Sequence, residues 1–331
     1  MIWAVYLMLG TNMWWEESPE VLFDDEAWEI IIKEVQKAGL NMIVLDLAEG
    51  VQYGSHPELA HPGAWKRSRV RAEVKRLKEM GITLIPKLNF SATHHLWLGE
   101  YRKMMSTKVY YDVCRDLIRE VYELFDHPEY IHLAMDEEGN QRILKHQKGF
   151  VSYRGKDLLF HDLEYLCECV MDTGAKPWIW EDTYNDYPEE FKKRIKSEDI
   201  LISVGYYHAF KKEHYKLIES DPMYVEFYSQ DMFDGLNLKY VEDDPAIIKF
   251  REKALPVVMD GYNVVPCGST FNKNDYNADD LLDYYKTNAP CERVKGFMTA
   301  PWIFTTMEYV DEIVKGIHQL RDAKNKYYQE K

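Results

Sequence analysis

A single (β/α)8 barrel, of the α/β TIM class, is the fold that this sequence predicts, on three observations. Eight short apolar runs recur along the 331 residues, segments of helical period separate them, and no glycine-rich phosphate loop follows the first run. Runs this short and apolar read as parallel strands buried on both faces. Strands alternating with helices give a parallel sheet, and eight such units close it into a barrel. The missing phosphate loop disfavours the rival, an open doubly wound sheet.

The first strand falls at Trp3–Leu9. Behind Asp24-Asp25, the residues Ala27, Ile30, Ile31, Val35 and Ala38 recur at helical spacing, with Gly39 as the stop. Asn41–Leu47 and Ile82–Leu88 are the second and third strands. A stripe of Val113, Leu117, Val121 and Leu124 marks the helix before the fourth strand, Tyr130–Asp136. Leu159, Leu163, Leu166 and Val170 form the next stripe, leading to strands at Lys176–Glu181 and Ile200–Tyr206. The seventh and eighth strands are Val264–Gly268 and Phe297–Trp302, and Val310, Ile313, Val314, Ile317 and Leu320 line the closing helix. The stretch Lys211–Pro256 carries Asp231–Asp234 in a loop at the rim. No linker or repeat divides the chain, so residues 1–331 read as one catalytic domain.

Composition narrows the partners. With 46% hydrophobic residues the chain can bury a core, and its net charge of -15 argues against nucleic acid and anionic membranes. Met1–Leu9 is too short to span a bilayer and reads as a strand rather than a leader, which predicts a cytoplasmic protein. Cys114, Cys167, Cys169, Cys267 and Cys291 are scattered and odd in number, which predicts reduced, buried thiols. Cys167 and Cys169, two apart in a helix, do not share a face.

In such barrels the chemistry sits where strands end. Those positions hold Asp46 and Glu49, Asn89, His94 and His95, Asp136 and Glu137, Glu181 and Asp182, Tyr206, Tyr207 and His208, Asn272 and Trp302. In the fourth strand, alternation predicts Ile131, Leu133 and Met135 facing the helices, with His132, Ala134 and Asp136 facing the barrel. A carboxylate at the last inward position is costly unless it serves a ligand. Glu137 beside it makes a pair whose pKa values are driven apart, as an acid and an anion require. Trp178, Trp180 and Trp302 offer indole faces against which the C–H faces of a sugar pack. Trp178 and Trp180 share one face of the fifth strand, so either both or Glu181 should face the barrel.

The run Ile131-His132-Leu133-Ala134-Met135-Asp136-Glu137 resembles the His-x-Gly-Gly-Asp-Glu signature of family 20 glycoside hydrolases, the β-N-acetylhexosaminidases. The loop from Pro86 to His94-His95 is similar to the family's Pro…His loop. The resemblance implies a (β/α)8 catalytic barrel, Glu137 as general acid/base and Asp136 orienting a 2-acetamido group whose carbonyl oxygen is the nucleophile. Ala134 and Met135 replace the two glycines. The family's Trp-x-Glu has no match near Val264–Thr270, and its small N-terminal domain is missing.

The function expected is therefore an exo-acting glycoside hydrolase with a carbohydrate substrate, no cofactor and no metal. Tyr206 or Tyr207 would bond the reacting sugar, and Asp46, Asn89 and His95 its hydroxyls. For a sugar without the acetamido group, Asp136 or Glu181 would act on water or as nucleophile. Two rivals remain. One is a metal-dependent barrel hydrolase or sugar isomerase built on the histidines and Asp46; the other is a carbohydrate-binding barrel without catalysis.

Overall fold

The apolar runs form strands because both their faces are covered, one by the barrel lumen and one by helices. The computed structural model describes residues 1–13, 17–138, 152–207, 254–270 and 275–328. Strands β1 (Ile2–Met8), β2 (Met42–Asp46), β3 (Thr83–Lys87), β4 (Tyr130–Ala134), β5 (Lys176–Trp180), β6 (Leu201–Gly205), β7 (Asn263–Gly268) and β8 (Gly296–Thr299) form a closed barrel in sequence order. Every pairing is parallel, including β8 with β1. At that closing seam a Cβ on Gly296 would lie 2.0 Å from the Ile2 carbonyl oxygen, so only glycine lets the two strands meet.

Nine helices surround the sheet among the described residues: α1 (Asp25–Lys37), α2 (Arg67–Glu79), α3 (Lys108–Leu124), α4 (Lys156–Met171), α5 (Asp182–Asp186), α6 (Pro188–Arg194), α7 (Pro256–Met259), α8 (Asn277–Asn288) and α9 (Val310–Tyr327). Helix α1 buries Ala27, Trp28, Ile31, Ile32 and Val35, then stops at Gly39, whose φ of 64° suits a residue without Cβ. The stripes expected on α3 and α4 are buried, as are Val310, Ile313, Ile317 and Leu320 of α9. Helix α2 escapes a reading by period because its buried side is narrow, just Val70, Val74 and Leu77 among charged residues. No described helix is long and apolar enough to cross a membrane.

Paired residues of parallel neighbours point the same way. Met8, Asp46, Lys87, His132 and Trp178 are linked in register from β1 to β5. Tyr6 OH reaches across the lumen side to Asp46, which identifies this row as inward.

Two expectations need correcting, the end of the fourth strand and the burial of every thiol. The fourth strand ends at Ala134, two residues early, because a bulge after His132 aligns Ala134 with Ile179 rather than with an inward residue. Cys167 and Cys169 are both buried, as expected, and α4 is enclosed on more than one side. Cys291 is exposed, whereas the other four thiols are buried.

Candidate active site

The floor of the site is polar. Asp46 and Lys87 form an ion pair inside the barrel, 0% and 2% exposed at their side chains, and Tyr6 OH donates to Asp46 Oδ2 at 3.0 Å. The Lys87 ammonium also lies 5.2 Å from the centre of the Tyr6 ring. Lys87 was missed in the sequence, although a lysine ending an apolar strand in register with Asp46 was a usable signal. A buried charge is tolerated only when paired in this way.

Above this floor the chain leaves β4 through an unusual backbone. Ala134, Met135 and Glu137 have φ of 62°, 61° and 55°, and at the same mouth Ala48 and Trp302 have 38° and 56°. Non-glycine residues enter this region at a cost of roughly 1–2 kcal/mol each, and such strain gathers at functional sites. The two positions where the resembling motif carries glycine are thus positions whose backbone favours glycine. Ala134→Gly is expected to leave stability within about 1 kcal/mol of the native protein, since relief of strain offsets the added chain entropy. Ala134→Val should cost about 1–3 kcal/mol. Thermal unfolding of the two variants checks both.

The kinked exit turns Asp136 and Glu137 towards His94. His94 Nδ1 lies 3.5 Å from Asp136 Oδ2, and Nε2 lies 3.4 Å from Glu137 Oε2. Ser91 Oγ donates to Asp136 Oδ1 and accepts from the Asp136 N–H at 3.0 Å. Burial alone would depress the His94 pKa, but the Asp136 and Glu137 carboxylates outweigh it and raise it to about 10. Burial would raise the Asp136 pKa, yet His94, Lys87 and Ser91 together hold it below the usual carboxylate range.

These shifts make a stability prediction with a definite sign. A histidine whose folded pKa is about 10 stabilises fully below its unfolded value and loses that effect as pH rises through about 10. His94→Gln should therefore destabilise most near pH 5–6 and progressively less towards pH 10. Denaturant unfolding of both proteins across that range measures it. A constant difference would show that His94 is not the cation between the carboxylates.

Glu181 lies on the other side of the mouth. Its backbone turns into the α region at the end of β5, and Oε2 accepts the Gly205 N–H at 3.2 Å. Burial, then the neighbouring Asp182 charge, pushes its pKa well above the ordinary range. Trp178, Trp180 and Glu181 are thus not alternatives. Trp178 and Trp180 face inward, and the helical turn brings Glu181 to the same side.

The aromatic wall is Trp302, with ring centres 4.6 Å from Tyr6, 5.5 Å from Trp180 and 6.1 Å from Tyr207. Trp180 Nε1, Trp302 Nε1 and Asp46 Oδ1 are buried and have no hydrogen-bond partner among the described residues. Buried polar atoms are nearly always paired, so these three are poised for a polar ligand.

Other expected site residues lie away from the pair. Trp178 is a layer deeper, fully buried, stacked on His132 at 5.3 Å and donating to Ser203 Oγ at 2.8 Å. His95 is buried against Ser152 Oγ at 3.2 Å, and Tyr206 is 1% exposed, whereas their neighbours His94 and Tyr207 meet the site. Asn89 is buried, its Nδ2 directed at Met13 Sδ, 3.9 Å away. Glu49 accepts the amides of Thr11 and Asn12 at 2.6 and 3.0 Å, and so anchors a loop. His208 and Asn272 lie outside the described residues. Among the described residues no group of three or more His, Cys, Asp or Glu side chains is placed to hold a metal ion.

No family profile matches the sequence, and no curated protein matches it. Solved structures do. A β-N-acetylhexosaminidase from Bacteroides fragilis superposes with a TM-score of 0.60 at 13% identity, over 96% of this chain and 65% of its own. The GH20 β-N-acetylhexosaminidase from Streptomyces coelicolor gives 0.61 at 11% identity, over 96% and 64%. Dispersin B gives 0.56 at 12% identity, over 99% of each chain. The chain thus spans less than two thirds of the first two enzymes and nearly all of the third. It is a divergent chain with the (β/α)8 barrel fold of the family 20 β-N-acetylhexosaminidases.

Proposed function

We propose that this protein is a glycoside hydrolase acting on a β-linked 2-acetamido sugar, with Glu137 as general acid and Asp136 as the charged partner of the acetamido group. The observation that carries the reading is the Asp136–His94–Glu137 arrangement at the end of β4, facing Trp302, Trp180 and Tyr207 across one mouth. The fold shared with two β-N-acetylhexosaminidases supports the sugar class.

The chemistry follows from the charges. His94 carries a proton at neutral pH and touches both carboxylates. Glu137, at the more open end beside His94 Nε2, is placed to hand a proton to the leaving oxygen when a bound sugar brings that oxygen to it. Asp136 stays anionic, suited to accept the acetamido N–H and to stabilise positive charge as the acetamido oxygen attacks. Burial disfavours the Glu181 anion, which makes it a less suitable nucleophile or base than Asp136. Trp302 would support the sugar's apolar face. The unpaired Trp180 and Trp302 N–H groups and Asp46 Oδ1 would meet hydroxyls.

A panel of chromogenic β-glycosides tests this directly, with hydrolysis of the N-acetylglucosaminide or N-acetylgalactosaminide expected. Activity should survive exhaustive dialysis against EDTA. Loss restored by zinc or manganese would favour the metal-dependent rival. Binding without turnover on the whole panel would favour the carbohydrate-binding one.

A further inference from the structure

Ser91 and His94, the two residues that hold Asp136, belong to the loop after β3, and a buried ion cluster grips the peptide on each side of Ser91. Arg154 Nη2 donates to Phe90 O at 3.0 Å, and Ala92 N–H donates to Glu138 Oε1 at 2.8 Å. Arg154 and Glu138 are joined by bonds of 3.2 Å from Nε and 2.5 Å from Nη2. On its far side Arg154 Nη1 reaches Asp162 Oδ2 at 3.1 Å, and Ser106 Oγ and Tyr111 OH each fix that carboxylate at 2.6 Å. The side chains of Arg154 and Asp162 are 0% exposed and that of Glu138 2%.

We propose that Arg154 and Glu138 are positioning residues: they lock the β3 loop to the β4 loop so that Ser91 and His94 stand against Asp136 and Glu137. Two features point to geometry rather than to stability alone. Well-packed apolar residues often stabilise a core as much as a buried ion cluster does, so three desolvated charges have little to recommend them on that ground. The bonds also go to particular peptide groups, Phe90 O and Ala92 N, which bracket the serine that holds Asp136. Glu138 follows Glu137 directly, so its anchorage also fixes the peptide that carries the left-handed Glu137. The link to catalysis rests on the reading of Asp136 and Glu137 as the reacting pair; the link to geometry does not.

The decisive experiment needs no substrate. Titration of His94 by NMR reports how closely the carboxylates approach it. Among the described residues the charged or titratable groups that act on it include Asp136 and Glu137 of the β4 loop and its neighbour His95, with Lys87 of β3 acting on Asp136. Glu138→Gln retains an acceptor for Ala92 but sets an amide NH2 against the Arg154 guanidinium. Its His94 midpoint should fall from about 10 by about one unit or more. Arg154→Lys keeps the charge without the three-way fork and should act likewise. Tyr262→Phe, which removes a buried bond to Ile195 O of 2.8 Å elsewhere, should lower Tm and leave His94 unmoved. On an active substrate, Glu138→Gln should reduce kcat roughly 10–100-fold with KM little changed, as for a misplaced reacting group. A folded Glu138→Gln with a lowered Tm and a native His94 midpoint would overturn the proposal. A shifted midpoint in a protein inactive on every glycoside would uphold the clamp and reject the hydrolase reading.

Discussion

Glu137→Gln is expected to lower turnover roughly 10²–10⁴-fold, the range for loss of a general acid. Stability should change little, because the side chain is 30% exposed and the amide fills the same volume. The defect should depend on the leaving group. A dinitrophenyl glycoside departs without a proton and should be cleaved at nearly the native rate, whereas an alkyl glycoside or a disaccharide should show the full loss. Equal rates for variant and native protein on a natural disaccharide would remove Glu137 from the reaction.

Asp136→Asn should be as damaging for a different reason. The carboxylate is needed where positive charge develops, so the loss should fall on kcat, roughly 10²–10³-fold, more than on binding. No choice of leaving group should rescue it. A thiazoline that mimics the cyclic intermediate should inhibit the native enzyme strongly and the variant weakly. An active native enzyme indifferent to the thiazoline would rule out attack by the acetamido oxygen. This variant should also lose more stability than Glu137→Gln, since Asp136 is the more buried of the two carboxylates and the stronger in holding the His94 cation.

The sequence announced the eight strands, because burial on two faces leaves uninterrupted apolar runs that lie within three residues of the observed ends, and four of the nine described helices. Asp136 and Glu137 were legible because strand ends are where a barrel exposes its polar groups. What could not be read was set by single turns. Nothing in the letters His94-His95 or Tyr206-Tyr207 says which neighbour faces the mouth; one peptide rotation decides it. The helical turn at Glu181 undid a choice that strict alternation seemed to force. Arg154 and Glu138 were hidden because their partners are peptide groups of Phe90 and Ala92, which leave no mark in the side-chain sequence.

The left-handed exit from β4 also bears on how chains of this fold drift apart. If the peptide path from Ala134 to Glu137 is what aims the carboxylates, then selection acts on dihedral angles, and the glycines that favour those angles are only their cheapest means. A lineage can exchange them once the surrounding barrel is rigid enough to impose the path on alanine and methionine. With side chains at both positions, a loosened barrel can relax out of the path, whereas a glycine pair would hold it with less strain. Surface substitutions should therefore be tolerated far better than changes to the packing around Ala134 and Met135, both fully buried.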